Sequence, residues 1–186
     1  MSDSDEPTTA IRTLSSKVVY ENPWMTLRED AIEREDGSRG IYSVIDKPDF
    51  ALVLPLENDG FHLVEEYRYP LRARRWQFPQ GGFPQGVTGT PEELATAELV
   101  EETGFTAATW ARLGYLNTAH GITNQCFHVF LATDLTPGEP HRELTEQDMR
   151  QRWFPRTEVE RMIREGVITD DSSLAAYLLF TMRVHK

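Results

Sequence analysis

A short acidic helix behind a glycine- and proline-rich loop constrains this chain more than any other stretch. Together they read WQFPQGGFPQGVTGTPEELATAELVEETGF, residues 76–105. Thr90 can cap the helix, Pro91 suits its first position, and Glu93 completes a Thr-x-x-Glu capping box. Gly104 can take the left-handed conformation that ends a helix. The sequence therefore predicts a helix between these two caps.

The predicted helix carries three carboxylates on one face. Glu98, Glu101 and Glu102 fall within an arc of about 100° on the helix. Like charges at these spacings repel each other, so a partner that offsets the repulsion is expected. Mg²⁺ is a suitable partner because it prefers carboxylate oxygens and bridges them to substrate phosphates. The spacing alone also fits a solvated acidic face on a surface helix.

The stretch AELVEETGF resembles the second half of the Nudix box, the Arg-Glu-apolar-x-Glu-Glu-x-Gly-apolar motif of the Nudix family. The matching residues are Glu98, Leu99, Glu101, Glu102, Gly104 and Phe105. WQFPQGG is similar to the loop that leads into the box, and a looser resemblance covers most of the chain after residue 17. The resemblance implies an α+β fold, a mixed β-sheet sandwiched between helices, and a pyrophosphohydrolase that uses Mg²⁺ or Mn²⁺.

Three positions depart from the family pattern. Ala97 stands where the box has Arg, and Gly89 stands where the family has Glu eight residues earlier. In ADP-ribose-type relatives a Glu in the strand entering the loop helps to bind metal, and Gln77 matches it here. Loss of the box Arg removes a strut that orients the glutamates but keeps the metal ligands themselves. These departures leave open a module that binds a nucleotide without hydrolysing it.

The resemblance also implies a set of site residues around the helix. The implied metal ligands are the side chains of Glu98, Glu101 and Glu102 and the backbone carbonyl near Gln80. Glu101 and Glu102 are counted as catalytic as well. Gly81 and Gly82 allow close approach of the backbone to substrate and an unusual conformation, or they form a plain turn.

A general base is expected on a loop after the box, as in ADP-ribose pyrophosphatases. The matching segment is HRELTEQDMR, residues 141–150, and we favour Glu146 as the base. Gln147 can instead occupy the family position, or the acids of this segment can belong to a solvated loop. Glu102 is a further alternative, as in other Nudix branches.

Three more residues are predicted to bind substrate. Arg68 can grip a phosphate bidentately, or it can be an ordinary surface strand residue. Trp76 can stack on an adenine or fill the core beneath the loop. His120 lies in TAHGITNQ, which resembles a Ser-Pro-Gly-Phe-Ser-Asn-Glu loop of ADP-ribose enzymes at Gly121 and Asn124. Its imidazole can contact phosphate or ribose, or be incidental to the site.

The rest of the chain is predicted to contain three regions. Residues 1–15 are predicted to be disordered, residues 16–48 to form an N-terminal antiparallel β region, and residues 49–186 to form the Nudix domain. A turn at Asp36-Gly37 closes a hairpin in the β region. This region resembles the added sheet of ADP-ribose pyrophosphatases, which implies a homodimer.

Composition limits the partners and the compartment. Of the 186 residues, 39% are hydrophobic and 26% charged, and the formal net charge is −11. This charge disfavours long nucleic acid as a partner, whereas four arginines just before the loop suit a small phosphorylated substrate. No apolar run approaches the roughly 18 residues of a membrane span. The single Cys126 and the acidic, polar N-terminus predict a cytoplasmic protein in which the cysteine is buried.

Three functions remain open from the sequence. The first is hydrolysis of a nucleoside diphosphate sugar, with ADP-ribose giving AMP and ribose 5-phosphate. The second is hydrolysis of dinucleoside polyphosphates or RNA 5′ ends, because WQFPQGG is similar to that Nudix branch; the net charge of −11 counts against it. The third is a sensor that binds a nucleotide without turnover.

Overall fold

The computed structural model describes two compact units. Its described residues are 10–83, 88–142 and 148–184. The first unit comprises Met1–Pro48 with Ala119–Gln125, and the second comprises Asp49–Thr118 with Cys126–Lys186. The main division thus falls at the predicted end of the N-terminal β region.

The first unit is built on a three-stranded antiparallel sheet. Its strands, in the order β1-β2-β3, are β1 (Ile11–Asn22), β2 (Met25–Arg34) and β3 (Arg39–Asp46). The turn between β2 and β3 contains Gly37 at φ 79°, and its N–H donates to the Arg34 carbonyl at 2.9 Å. Glycine adopts this left-handed conformation without a steric cost, so the predicted Asp36-Gly37 turn is confirmed.

The prediction of disorder over residues 1–15 is wrong for its last five residues. Residues 11–15 belong to β1, where Ile11 pairs with Arg34 and Thr13 pairs with Ile32. The polar composition of the segment concealed a strand whose backbone bonds to β2 supply its order. Residues 1–9 lie outside the described residues.

The loop 119–125 is hydrogen-bonded to β3 within the first unit. The Ile45 N–H donates to the Ile122 carbonyl at 2.8 Å, and the Tyr42 hydroxyl donates to the Gly121 carbonyl at 3.0 Å. Farther along, the Lys47 N–H donates to Asn124 Oδ1 at 3.1 Å. These bonds satisfy backbone groups at the edge of the sheet.

The second unit contains a mixed sheet with helices. Its strands are β4 (Phe50–Glu57), β5 (Gly60–Arg68), β6 (Ala73–Gln77), β7 (Gln80–Gly81), β8 (Thr106–Asn117), β9 (Cys126–Thr136) and β10 (Arg150–Pro155). The order is β10-β5-β4-β9-β8, with β6 paired to β5 and β7 paired to β4. Only β4 and β9 run parallel among these pairs of described strands.

The helices cover both faces of this sheet. They are α1 (Pro91–Thr103), α2 (Arg156–Arg164) and α3 (Asp171–Val184). Alternate residues of β4 point to opposite faces: Leu52 and Leu54 pack with α2 and α3, whereas Ala51 and Val53 pack with α1. The predicted mixed sheet between helices is therefore confirmed. No helix in the described part of the chain is long and apolar enough to cross a membrane.

A split in the pairing of β4 positions the loop before α1. Near its end β4 pairs with β5, where Leu56 lies opposite Phe61. Near its start β4 pairs instead with β7, where Ala51 lies opposite Gly81 and Leu52 opposite Gln80. The loop backbone is therefore part of the sheet at the point where α1 packs.

Candidate functional site

Helix α1 has the predicted caps at both ends. The Thr90 hydroxyl accepts from the Glu93 N–H at 3.1 Å, and the Glu93 carboxylate accepts from the Thr90 N–H at 2.8 Å. At the other end Gly104 has φ 78°, and its N–H donates to the Val100 carbonyl at 2.8 Å. The predicted capping box and the predicted helix end at Gly104 are thus confirmed. These two caps fix which side chains of α1 face the sheet.

Two of the three glutamates of α1 are buried. Glu98 is 7% exposed and Glu102 is 2% exposed. An oxygen of the Glu102 carboxylate accepts from the Gln80 N–H at 3.3 Å. Burying a carboxylate costs several kcal/mol unless partners offset it, roughly the scale known for buried ions. A solvated acidic surface is therefore wrong for these two side chains.

A side chain at residue 81 would displace the Glu98 carboxylate. A Cβ built on Gly81 would lie 2.5 Å from a Glu98 carboxylate oxygen, closer than real Cβ atoms approach other atoms. A Cβ on Gly82 would lie 3.4 Å from the Asp49 carbonyl, an ordinary contact. Neither glycine has a positive φ. Gly81 therefore lies against the Glu98 carboxylate, and neither glycine adopts the left-handed conformation.

Side chains at the start of α3 hold the same loop from the other side. Gln80 Nε2 donates to an Asp170 carboxylate oxygen at 3.0 Å, and that oxygen also accepts the Ser173 N–H at 2.8 Å as the helix cap. The Ser173 hydroxyl, whose residue is 1% exposed, accepts the Phe78 N–H at 3.0 Å. Sequence analysis missed both the contact of Asp170 with the loop and the contact of Ser173 with Phe78.

The oxygen-rich surroundings of β7 fit a hard divalent cation. Glu98 and Glu102 place carboxylates at the backbone of Gln80 and Gly81, and Glu101 is half-buried on the same helix. Within residues 10–83, 88–142 and 148–184, no three acidic, His or Cys side chains are grouped closely enough to enclose a metal. Mg²⁺ does not require such a cage, because it commonly binds one or two carboxylates together with waters and substrate phosphates.

Arg68 is anchored at the predicted phosphate-binding position. Its Nε and Nη2 donate to Gln77 Oε1 at 3.1 and 2.7 Å, and its Nη1 lies 3.1 Å from a Glu66 carboxylate oxygen. Burial raises the pKa of Glu66, and the charge of Arg68 opposes that shift. Sequence reasoning missed Glu66, although its position two residues before Arg68 on one strand placed both on the same face.

Trp76 and His120 are the two other residues predicted to bind substrate. Trp76 packs edge-on against Phe154 at 4.9 Å, on the side of the sheet that α2 and α3 cover. The structure thus favours core packing over base stacking for Trp76. His120 is exposed and lies in the loop 119–125 of the first unit.

The segment predicted to carry the general base is only partly described. Glu146, and Gln147 as the alternative, lie outside the described residues. Asp148 forms an ion pair with Arg74, which also contacts Glu65 at 2.9 Å. Arg74 therefore forms ion pairs with two carboxylates of the protein itself. Cys126 is buried, as predicted.

The chain was then compared with known families and proteins. The family model for the NUDIX domain matches residues 47–177, which is more than half of the chain. This chain belongs to the Nudix family. A second model, the nucleoside diphosphate sugar hydrolase N-terminal domain, matches residues 11–45, and α1 is the helix of the Nudix box.

Individual relatives place the protein near one Nudix branch. An ADP-ribose pyrophosphatase of Mycobacterium tuberculosis (strain ATCC 25618 / H37Rv) is 31% identical over 169 residues, covering 89% of this chain and 81% of the relative. An ADP-ribose pyrophosphatase of Bacillus subtilis (strain 168) is 28% identical, covering 74% of each chain. A solved structure titled "Crystal structure of ADP compounds hydrolase" superposes with a TM-score of 0.82 at 21% identity, covering 94% of each chain. The last comparison supports the Nudix fold alone.

Proposed function

We propose that this Nudix protein hydrolyses the pyrophosphate bond of a nucleoside diphosphate sugar in a divalent-metal-dependent reaction. The preferred substrate is ADP-ribose, and the products are AMP and ribose 5-phosphate. The observation that carries the proposal is the pair of buried carboxylates, Glu98 and Glu102, held against the backbone of β7. The relatives named ADP-ribose pyrophosphatase support the choice of substrate.

The metal ligands in this proposal are the carboxylates of α1 and the carbonyl of Gln80. Glu98 and Glu102 have the geometry described above, and Glu101 remains a proposed third ligand. When bound, Mg²⁺ or Mn²⁺ neutralises charge on the diphosphate oxygens and lowers the pKa of a bound water. The bonds from Gln80 to Glu102 and Asp170 hold the loop backbone in place before substrate arrives.

The remaining roles concern substrate and proton transfer. Arg68 is proposed to bind the diphosphate, since a guanidinium donates paired hydrogen bonds to phosphate oxygens. Gly81 and Gly82 are proposed to let the substrate approach the loop backbone. Glu146 is proposed to accept the proton of the attacking water, with Glu102 as the alternative base. His120 is kept as a proposed contact to phosphate or ribose.

A substrate panel tests this function. Purified protein with Mg²⁺ is incubated with ADP-ribose, other nucleoside diphosphate sugars, a diadenosine polyphosphate and 5′-triphosphorylated RNA, and the products are separated. We expect ADP-ribose to be converted fastest, with AMP appearing in equal amount to ribose 5-phosphate. Faster turnover of the polyphosphate or RNA substrate would favour the Nudix branch that hydrolyses dinucleoside polyphosphates or RNA 5′ ends. Binding of nucleotide with no turnover of any substrate would favour a sensor.

We also propose that two copies of the chain form a homodimer through the first unit. Several large apolar side chains of its sheet and turns are more than half exposed. They are Val18 (55%), Val19 (54%), Tyr20 (53%), Trp24 (74%) and Ile41 (64%). Apolar side chains gathered in one small sheet are typical of a protein interaction surface.

A further inference from the structure

The orientation of the Gln77 amide is determined by its neighbour. Arg68 donates two N–H groups to the same atom of Gln77, at 3.1 and 2.7 Å. A guanidinium can only donate, so the atom that faces it is the amide oxygen. The amide nitrogen therefore points the other way, and it has no hydrogen-bond partner among the described residues.

This orientation makes the Gln77 side chain unsuitable as a cation ligand. Its oxygen has two lone pairs, and both face N–H groups of Arg68. The amide nitrogen is a donor and cannot ligate Mg²⁺. Gln77 is also 1% exposed, so its amide has little freedom to rotate away from Arg68. The Gln77 side chain is thus an acceptor for Arg68.

A second residue holds Arg68 from another direction. Glu66 lies 3.1 Å from Nη1 of the guanidinium, and its side chain is 18% exposed. The hydrogen bonds to Gln77 use two of the five N–H donors that an arginine carries, and Glu66 adds an ion pair. The Arg68 side chain itself is 37% exposed, so its guanidinium is fixed by the protein and still reachable from solvent.

These three side chains lie on the face of the sheet that α1 covers. Trp76 and Phe78, the neighbours of Gln77 along the chain, both pack on the opposite side with α2 and α3. Since side chains alternate along an extended strand, Gln77 points towards the α1 side. Arg68 contacts Gln77 there directly, and Glu66 contacts Arg68. The anchored guanidinium is therefore on the same side of the sheet as Glu98 and Glu102.

We propose that Gln77 and Glu66 are positioning residues that hold the Arg68 guanidinium ready to receive the substrate's diphosphate, and that Gln77 is not a metal ligand. An unanchored arginine loses rotamer freedom when it binds a ligand. Holding the side chain in place beforehand removes that cost and raises affinity. The identity of the diphosphate substrate rests on the proposed function.

The test uses substitutions that separate acceptor and metal roles at residue 77. Gln77→Met removes the oxygen at similar length, whereas Gln77→Glu keeps an oxygen that can accept from Arg68. We expect Gln77→Met to raise the KM for ADP-ribose about tenfold, as for loss of one hydrogen bond to a charged group, with kcat unchanged. Gln77→Glu should keep KM within about twofold, because an acceptor remains. The concentration of Mg²⁺ at half-maximal rate should be unchanged in Gln77→Met.

Gln151→Met is the matched control, since it makes the same change at a glutamine that is partly buried in another strand of the sheet. In the background of Arg68→Ala, adding Gln77→Met should have no further effect on KM. The proposal would be overturned if Gln77→Met left KM unchanged, with or without a higher Mg²⁺ requirement. It would also be overturned if the effects of Gln77→Met and Arg68→Ala on KM were fully additive. If thermal melting shows that Gln77→Met is unfolded, Glu66→Ala is used instead, and an unchanged KM there also overturns it.

Binding of ADP with a chelator present provides a readout that does not depend on turnover. Calorimetry should show weaker ADP binding by Gln77→Met than by the wild type and Gln151→Met. If the wild type binds ADP but does not hydrolyse ADP-ribose, the proposed function fails while the binding ratio still decides the role of Gln77. Equal ADP affinity of Gln77→Met and wild type overturns the positioning role whether or not ADP-ribose is hydrolysed.

Discussion

The contact between Gly81 and Glu98 is the constraint on the candidate site at the scale of single residues. We predict that Gly81→Ala lowers kcat/KM for ADP-ribose by about 100-fold, because displacing a site group by roughly 1 Å can cost that much. The added methyl carbon would lie 2.5 Å from a Glu98 carboxylate oxygen, so the carboxylate would have to move. Gly121→Ala is the control, since a Cβ there has nothing within 4 Å. Equal activity of the two variants in steady-state assays would refute the required close approach.

His62 supplies a second prediction at this scale. Its Nδ1 accepts from the Gln151 amide at 2.6 Å, its Nε2 lies 3.2 Å from Glu57, and the residue is 5% exposed. Burial lowers the pKa of His62 below its ordinary 6.5, while Glu57 opposes the shift. The unfolded state then binds more protons, so stability is full above the unfolded pKa of 6.5 and is lost as the pH falls below it.

Urea unfolding at about pH 7.5 and about pH 5.5 measures this effect. The wild type should lose more stability on acidification than His62→Gln, which has no titrating group at that position. An equal loss in both proteins would show that other groups cause the pH dependence.

Only part of the candidate site could be predicted from the amino-acid sequence. The glutamate spacing, Gly81 and Gly104 could be interpreted from the sequence because each acts within a short segment. The Arg68–Gln77 contact joins residues on neighbouring strands, so it depends on the register of β5 against β6. Sequence alone does not give that register. The pairing of Glu66 with Arg68, two residues apart on one strand, could have been found from the alternation of side chains along β5.

At the scale of elements, the start of α3 supports the loop before α1. We predict that Ser173→Ala destabilises the protein by about 1–3 kcal/mol, because the buried Phe78 N–H loses its acceptor. Chemical denaturation measures the change in free energy of unfolding. Ser172→Ala is the control, since its hydroxyl contacts Asp171 at 3.4 Å and has no bond to the loop among the described residues. A Ser173→Ala variant as stable as this control would contradict the supporting role of α3.

Elements differed in how well the sequence predicted them. The box helix was predicted with both caps, because Thr90, Glu93 and Gly104 encode its ends locally. Strand β1 was predicted to begin after residue 15, whereas it begins at Ile11. Its first five residues mix apolar and polar side chains, and backbone pairing with β2 orders them. The anchoring of the loop to α3 links Phe78 to Ser173, far apart in the chain, and had no sequence signal.

At the scale of the whole molecule, the exposed apolar side chains of the first unit predict a dimer. Light scattering coupled to size exclusion should give the mass of two chains, that is, twice 21.3 kDa. Val18→Glu combined with Ile41→Glu should yield monomers, because a charge at each exposed position opposes burial in an interface. Lys17→Glu, an exposed polar position on the same strand, is the control and should remain dimeric. A monomeric wild type would contradict the proposed assembly.

The central claim is that buried glutamates of the Nudix helix support hydrolysis of ADP-ribose. The most direct measurement is formation of AMP and ribose 5-phosphate from ADP-ribose at saturating Mg²⁺, compared among wild type, Glu102→Gln and Glu92→Gln. Glu102 is 2% exposed beside the loop, whereas Glu92 is exposed at the start of the helix. We predict turnover by the wild type and Glu92→Gln, and a loss of about 100-fold or more in Glu102→Gln, since even outer partners of metal ligands can cost that much. No turnover by the wild type, or full turnover by Glu102→Gln, would contradict the claim.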